Sequence, residues 1–293
     1  MFEVQDLTRS FGDHLAVDHV TFAVPAGGLT GFVGGNGAGK TTTMRMMMGI
    51  LQPDAGEVRW QGAPVTRGVQ RLFGYLPEER GLYPKQKVLD QLVYLGRLHG
   101  LSAAAAKRSA MGYLERFHLV DRAGDKLESL SLGNQQRVQV AAAVLNEPVA
   151  LLLDEPFSGL DPEAVDSMVD LLREEAARGV PVLFSSHQLD LVDRLCDRLV
   201  ILSHGRVVAA GSSGELRGRG RLLYRLVLGG DAGWVRGMNG VHVVDVDGSV
   251  ALLELLETDA ADRLLAEALR RGSVRELAEQ RPSLGEIYRE VTA

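Results

Sequence analysis

The stretch Gly34-Gly35-Asn36-Gly37-Ala38-Gly39-Lys40-Thr41-Thr42 carries residue types suited to holding phosphate. It fits the pattern G-x-x-x-x-G-K-[ST], with Gly34, Gly39, Lys40 and Thr41 at the fixed positions. Glycines let the chain curl so that successive backbone N–H groups converge on phosphate oxygens, and the N-terminus of a following helix adds its positive end. Lys40 is placed to reach the β- and γ-phosphates, and the Thr41 hydroxyl to ligate Mg2+. These residues predict a site for a nucleoside triphosphate.

Turnover of such a substrate needs carboxylates, and "VALLLDEPFSGLD" (149–161) supplies them. Its apolar run reads as a buried parallel strand that ends at Asp154-Glu155. Asp154 would hold Mg2+ directly or through water, and Glu155 would take a proton from the attacking water. The plainer alternative is a strand that stops in an ordinary acidic turn.

The flanking elements fit these roles. "LTGFV" before the glycine loop reads as a buried strand, and "TTTMRMMMGIL" after it as a helix that stops near Gly49 and Pro53. Its methionines read as core packing. Asp161-Pro162 reads as an N-cap with proline at the first helical position, opening a helix that closes at Gly179. "VPVLFSS" is the next strand, and a hairpin turns at His204-Gly205. Loops carrying Gly34, Asp154 and His187 then share one edge of a parallel sheet, where α/β sheets bind ligands.

After Gly211 the composition becomes rich in Gly, Arg and Ser, which marks a boundary. The expected division is a larger nucleotide-binding unit over 1–215 and an α+β module over 216–293. In the module "LLYRLVL" and "VHVVDVDGSVALLELL" read as strands, the second pair turning at Asp247-Gly248. "TDAADRLLAEALRRG" reads as a capped amphipathic helix and "SLGEIYREV" as another. The module shows no catalytic cluster, and packing or dimer support is its plain reading.

Composition narrows the function classes. The 293 residues are 45% hydrophobic and 24% charged, as in a globular protein. A net charge of −6 gives no electrostatic reason to expect nucleic acid. The single cysteine, Cys196, reads as buried and structural and points to a reducing compartment. No apolar run approaches the ~18 residues of a membrane span, so a cytoplasmic chain is expected. His14, His19, His99, His118, His204 and His242 receive no role.

Further strings carry a resemblance. "RSFGDHLAV", "LSLGNQQR" (130–137), "SGLD" (158–161) and "SSHQLD" occur in this order around the two phosphate-site motifs. Over residues 2 to 215 the chain resembles the nucleotide-binding subunits of ATP-binding cassette transporters. The resemblance implies that ATP and Mg2+ are the cofactors, that Phe11 stacks on adenine and that His187 senses the γ-phosphate. It also implies that "LSLGNQQR" is the signature, whose Ser131 and Gly133 contact the nucleotide held by the other subunit. Ser131 offers a hydroxyl, Gly133 allows close backbone approach, and the following helix points its N-terminus the same way. Leu132 stands where a glycine is usual, and Asn134 where a glutamine is usual. The implied partners are a second ATP-binding subunit, most simply another copy of this chain, and an integral-membrane permease that holds the chain at the cytoplasmic face.

"YLPEERGLYP" resembles the exporter-type subunits of sodium, drug and antibiotic efflux. Here Glu78 stands where the family has a glutamine that touches Mg2+, and a solvated loop acid is the alternative reading. Glu79 and Arg80 follow it in the local field. The expected fold is α/β: a parallel-sheet core, an antiparallel N-terminal sheet carrying Phe11, a helical insertion near 87–145 and the C-terminal α+β module. The expected function is ATP hydrolysis that powers a membrane exporter. A cassette ATPase of translation or DNA repair is the alternative; one cassette and about ninety residues between phosphate loop and signature, without sustained heptads, weigh against it. A nucleotide-binding regulator without turnover is disfavoured by Glu155 and His187.

Overall fold

The computed structural model describes residues 1–79, 81–219, 222–257, 259–280 and 283–292, and divides into two units, Met1–Ser212 and Ser213–Ala293. The first unit runs β1 (Phe2–Phe11), β2 (His14–Val24), β3 (Leu29–Gly34), α1 (Lys40–Met47), β4 (Ala55–Trp60), β5 (Ala63–Pro64), α2 (Arg67–Gln70) and β6 (Phe73–Leu76). Then follow α3 (Val88–Leu98), α4 (Ala103–Arg116), α5 (Leu132–Val144), β7 (Ala150–Leu153), α6 (Pro162–Ala177), β8 (Val182–Ser186), α7 (Leu189–Leu195), β9 (Arg198–Ser203) and β10 (Arg206–Ser212).

Two sheets share one core. The N-terminal sheet is antiparallel in the order β2-β1-β4-β5, and the central sheet has the order β10-β9-β3-β8-β7-β6. Strands β6 to β9 and β3 pair in parallel, while β10 folds back antiparallel on β9 through the His204-Gly205 turn. Both turn residues have positive φ, as a tight hairpin requires. Every residue of β3, β7 and β8 is buried, which explains their continuous apolar character. Phe2 of β1 packs against Trp60 and Phe73 and so ties one sheet to the other. Met44, Met46 and Met47 on α1 fill the same core, as expected of that cluster. Helices α3 to α5 form the helical insertion.

The second unit runs α8 (Ser213–Arg219), β11 (Leu223–Leu228), β12 (Val241–Asp247), β13 (Val250–Leu255), α9 (Ala260–Arg271), β14 (Val274–Gln280) and α10 (Leu284–Thr292). Its antiparallel sheet has the order β12-β13-β11-β14. Leu226, Leu228, Ala251 and Leu253 on the sheet pack with Leu264 and Ala268 of α9. Three details differ from the sequence reading. The β12–β13 turn is Gly248-Ser249, one residue later than expected, because Asp247 pairs with Val250. Asp259 occupies the N-cap of α9 without a side-chain cap, and Thr258 lies outside the described residues. Strand β14 was not expected, because "VRELAEQ" has only Val274 and Leu277 as large apolar residues; as an edge strand it exposes much of its length. The last helix does carry a reciprocal cap, with Ser283 N–H donating to Glu286 Oε2 at 2.7 Å and Glu286 N–H to Ser283 Oγ at 3.2 Å.

Candidate nucleotide site

The C-terminal ends of β3, β7 and β8 open into a cleft of about 840 Å³. Its walls include Phe11, the loop residues 36–42, Glu78, Asp154, Glu155 and His187. The parallel register makes this convergence, because neighbouring parallel strands release their loops on the same edge.

The glycine loop is shaped by what its neighbours leave free. A Cβ at Gly34 would stand 2.7 Å from the Leu202 carbonyl oxygen, and Gly39 has φ 101° beside the Ala16 carbonyl. Only glycine meets both demands without moving backbone. Gly39 is the N-cap of α1 and offers no side chain, so Lys40 and Thr41 open the helix with its first N–H groups free. Lys40 is buried, and its Nζ donates to the carbonyls of Gly34 at 2.7 Å and Gly35 at 3.2 Å. The ammonium is thereby held over the loop.

Asp154 follows β7 and is 1% exposed. Its Oδ1 accepts from Ser185 Oγ at 2.5 Å, while its buried Oδ2 has no hydrogen-bond partner. A buried carboxylate oxygen without a partner is costly unless a cation or water takes it up. Thr41 Oγ1 donates to Glu78 Oε2 at 3.2 Å on the same cleft wall. One hydroxyl and two carboxylates around a phosphate loop suit Mg2+, which takes few protein oxygens and completes its shell with phosphates and water. Burial first, then the Asp154 carboxylate, raises the pKa of the neighbouring Tyr75 phenol. Glu79 pairs with Arg45 at 3.6 Å, and Arg80 lies outside the described residues.

Glu155 has φ 52°, left-handed for a residue with a side chain. Such a conformation costs about 1–3 kcal/mol and persists only where surroundings enforce it. Here Ser185 Oγ accepts from the Glu155 N–H at 2.9 Å, and the Gln136 amide donates to the carbonyls of Glu155 at 3.3 Å and Pro156 at 3.1 Å. The Glu155 carboxylate Oε2 lies 3.0 Å from His187 Nδ1. The two side chains are within hydrogen-bond distance of each other.

Phe11 ends β1 half-exposed, with the Arg9 guanidinium 5.1 Å from its ring centroid. His14, given no role from sequence, also stands on the cleft wall, as do Gln136 and Ser158. Ser185 and Gln136 escaped the sequence reading because their partners are distant in the chain or belong to the backbone. Ser131 and Gly133 are not brought to this cleft. Ser131 caps α5, accepting from the Asn134 N–H at 3.3 Å, and the helix opens at Leu132. Leu132 beside it is exposed, so the signature end of α5 faces outward.

Comparison with known proteins places this geometry. Residues 17–158 match the ABC transporter family, and residues 211–292 match the family described as "ATP-binding protein DrrA1-3-like, C-terminal domain". The chain is 39% identical over 289 residues to the "Uncharacterized ABC transporter ATP-binding protein YhaQ" of Bacillus subtilis (strain 168), covering 98% of this chain and 97% of that one. It is also 39% identical over 213 residues to the "Nod factor export ATP-binding protein I" of Burkholderia lata, covering 72% and 70%. A solved structure of an ATP-binding subunit of an ABC transporter superposes with a TM-score of 0.70 at 34% identity, over 75% of this chain and 92% of that one. The α/β cassette fold expected from sequence is thus shared with these proteins, and family domains of this kind bind ATP. Among the described residues no helix is long and apolar enough to cross a membrane. The chain belongs to the ATP-binding subunits of ABC transporters.

Proposed function

We propose that the chain hydrolyses ATP with Mg2+ and so powers export through a membrane partner. The observation that carries this reading is the convergence of Lys40, the partnerless Asp154 oxygen and the Glu155–His187 pair on one cleft. The loop N–H groups and Lys40 hold the β- and γ-phosphates, Phe11 offers a ring to adenine, and Thr41, Asp154 and Glu78 hold the metal. Mg2+, when held there, would supply charge neutralisation to the phosphates. Glu155 takes a proton from water as that water's oxygen attacks the γ-phosphorus and the bond to the ADP oxygen breaks. His187 fixes the carboxylate and keeps its other ring nitrogen for the γ-phosphate.

Ser131 and Gly133 serve the nucleotide of a second ATP-binding subunit, most simply a copy of this chain. Their outward placement, away from their own phosphate loop, supports that reading. Closure of the pair on ATP and its reopening after hydrolysis would move an integral-membrane permease at the cytoplasmic face. The name of the Nod factor export relative and the efflux-like "YLPEERGLYP" support export, and transporter relatives favour this over a translation or repair role. The C-terminal unit, which matches a family of its own, is assigned a packing or dimer-supporting part.

The test is steady-state phosphate release by the purified chain with MgATP, joined to affinity isolation from native membranes. Phosphate release abolished by Glu155→Gln, with a permease among the co-isolated proteins, is expected. A chain that binds ATP without turnover and isolates alone would contradict the reading.

A further inference from the structure

The left-handed backbone at Glu155 is held from both sides, and one of its holders lies on α5. Ser185 fixes the N–H of Glu155, and the single amide group of Gln136 reaches two successive carbonyls, those of Glu155 and Pro156. Gln136 sits in the second turn of the helix whose N-cap is Ser131. The same helix face meets the rest of the segment: a Cβ at Gly133 would stand 3.1 Å from the Gly159 carbonyl, and Arg137 Nη2 lies 3.7 Å from Asp161 Oδ1. Without Gln136, the carbonyls of Glu155 and Pro156 lose this side-chain donor, and the strained Glu155 backbone is left with Ser185 on its N–H and the Ser158 N–H, at 3.2 Å, on its carbonyl.

We propose that Gln136 is a positioning residue for hydrolysis, acting through the backbone of Glu155. Its amide sets the peptide plane that aims the Glu155 carboxylate at the attacking water, and it makes the signature end of α5 and the base one mechanical body. Although Gln136 reaches the cleft wall, in this role it acts through the Glu155 backbone and not on phosphate or water, so it should govern turnover more than nucleotide binding. The inference rests on Glu155 acting as the base.

The test uses the full chain and two near-isosteric variants. Gln136→Met keeps the side-chain length and removes both donors; Gln136→Glu turns a donor into an acceptor facing carbonyls. Because small misplacements of reacting groups are costly, turnover should fall about ten- to a hundredfold in both. Affinity for MgATP by calorimetry should stay at its unmutated value in Gln136→Met, while the thermal midpoint falls only by the few degrees that losing a hydrogen-bond donor costs. The decisive readout is a double-mutant cycle with Glu155→Gln, followed by single-turnover cleavage of labelled ATP. Once the base is gone, Gln136→Met should cause little further loss.

Loss of turnover in Glu155→Gln alone tests the base separately. If that loss occurs but Gln136→Met hydrolyses ATP normally, the positioning role is overturned while the base assignment stands. Equal falls in affinity and turnover, or multiplicative losses in the double mutant, would make Gln136 a general structural group and overturn it as well.

Discussion

His187 Nδ1 and Glu155 Oε2 lie 3.0 Å apart, with the carboxylate largely shielded and the imidazole largely exposed. The acid sits at the root of the cleft, and the histidine closes over it from the loop after β8. On the proposed mechanism Glu155 takes the proton and His187 orients its carboxylate. Glu155→Gln should therefore lose turnover by ~10²–10⁴-fold while keeping ATP affinity. His187→Ala should lose less, since the carboxylate remains. Phosphate release and calorimetry on both variants check this; Glu155→Gln turning over normally would remove Glu155 as the base.

Lys40 is held over the glycine loop by the carbonyls of Gly34 and Gly35. Removing it deletes a charge-assisted contact of ~1.5–3 kcal/mol, so Lys40→Ala should bind ATP roughly ten- to a hundredfold more weakly. Equilibrium binding of a fluorescent ATP analogue, displaced by ATP, measures this directly. Unchanged affinity would mean that the loop at 34–41 does not hold the phosphates.

Glu78 places a third carboxylate beside Asp154 and Glu155 in a cleft that also has to accept phosphate charge. The charge is offset when a divalent cation lies between. In chelator, Glu78→Gln should bind ATP more tightly than the unmutated chain by about two- to fivefold, the scale of a screened charge contact. With saturating Mg2+ the difference should shrink or reverse. Equal affinities in chelator would return Glu78 to the status of a solvated loop acid.

Cys196 packs against β3, where a Cβ at Gly31 would stand 2.7 Å from its Sγ and 2.8 Å from Val192 Cγ1. Gly31→Ala should destabilise the first unit by about 1–3 kcal/mol, and Cys196→Ala should recover part of that loss. Burial raises the thiol pKa, with Asp197 and Asp193 adding to the effect. The folded chain therefore keeps a proton that the unfolded chain gives up as pH rises through the ordinary thiol range. Stability should fall with pH there, and Cys196→Ala should flatten that fall. Urea unfolding across this range reads both effects; iodoacetamide should label Cys196 only after unfolding.

Much of this site was legible because its chemistry is local in the chain. The glycine loop, the Asp154-Glu155 strand end and the Asp161-Pro162 cap each depend on residues a few positions apart, and the cap forms as read, with Asp161 Oδ1 accepting from the Ala164 N–H at 2.8 Å. What escaped depends on contacts that spacing does not encode. Ser185 reaches Asp154 and Glu155 only because β8 lies beside β7. Gln136 reads as one more polar residue on a helix until the carbonyls of Glu155 and Pro156 are found beneath it. Strand β14 is hidden for a different reason: an edge strand in a small sheet needs few apolar residues, so its periodicity is faint.

In the proposed mechanism one ATP site is built from two chains, a reading supported by Lys40 lining the cleft and Ser131 lying outside it. If each site takes its phosphate loop from one subunit and its signature from the other, mixing a Ser131→Arg chain with a Lys40→Ala chain leaves one composite site with both defects and one with neither. Phosphate release by the mixture, against each variant alone, is the measurement. Shared sites should give partial activity in the mixture, almost none in either variant by itself, and a rise in turnover per chain with protein concentration in the unmutated protein. Full activity of Ser131→Arg alone, independent of concentration, would contradict this reading.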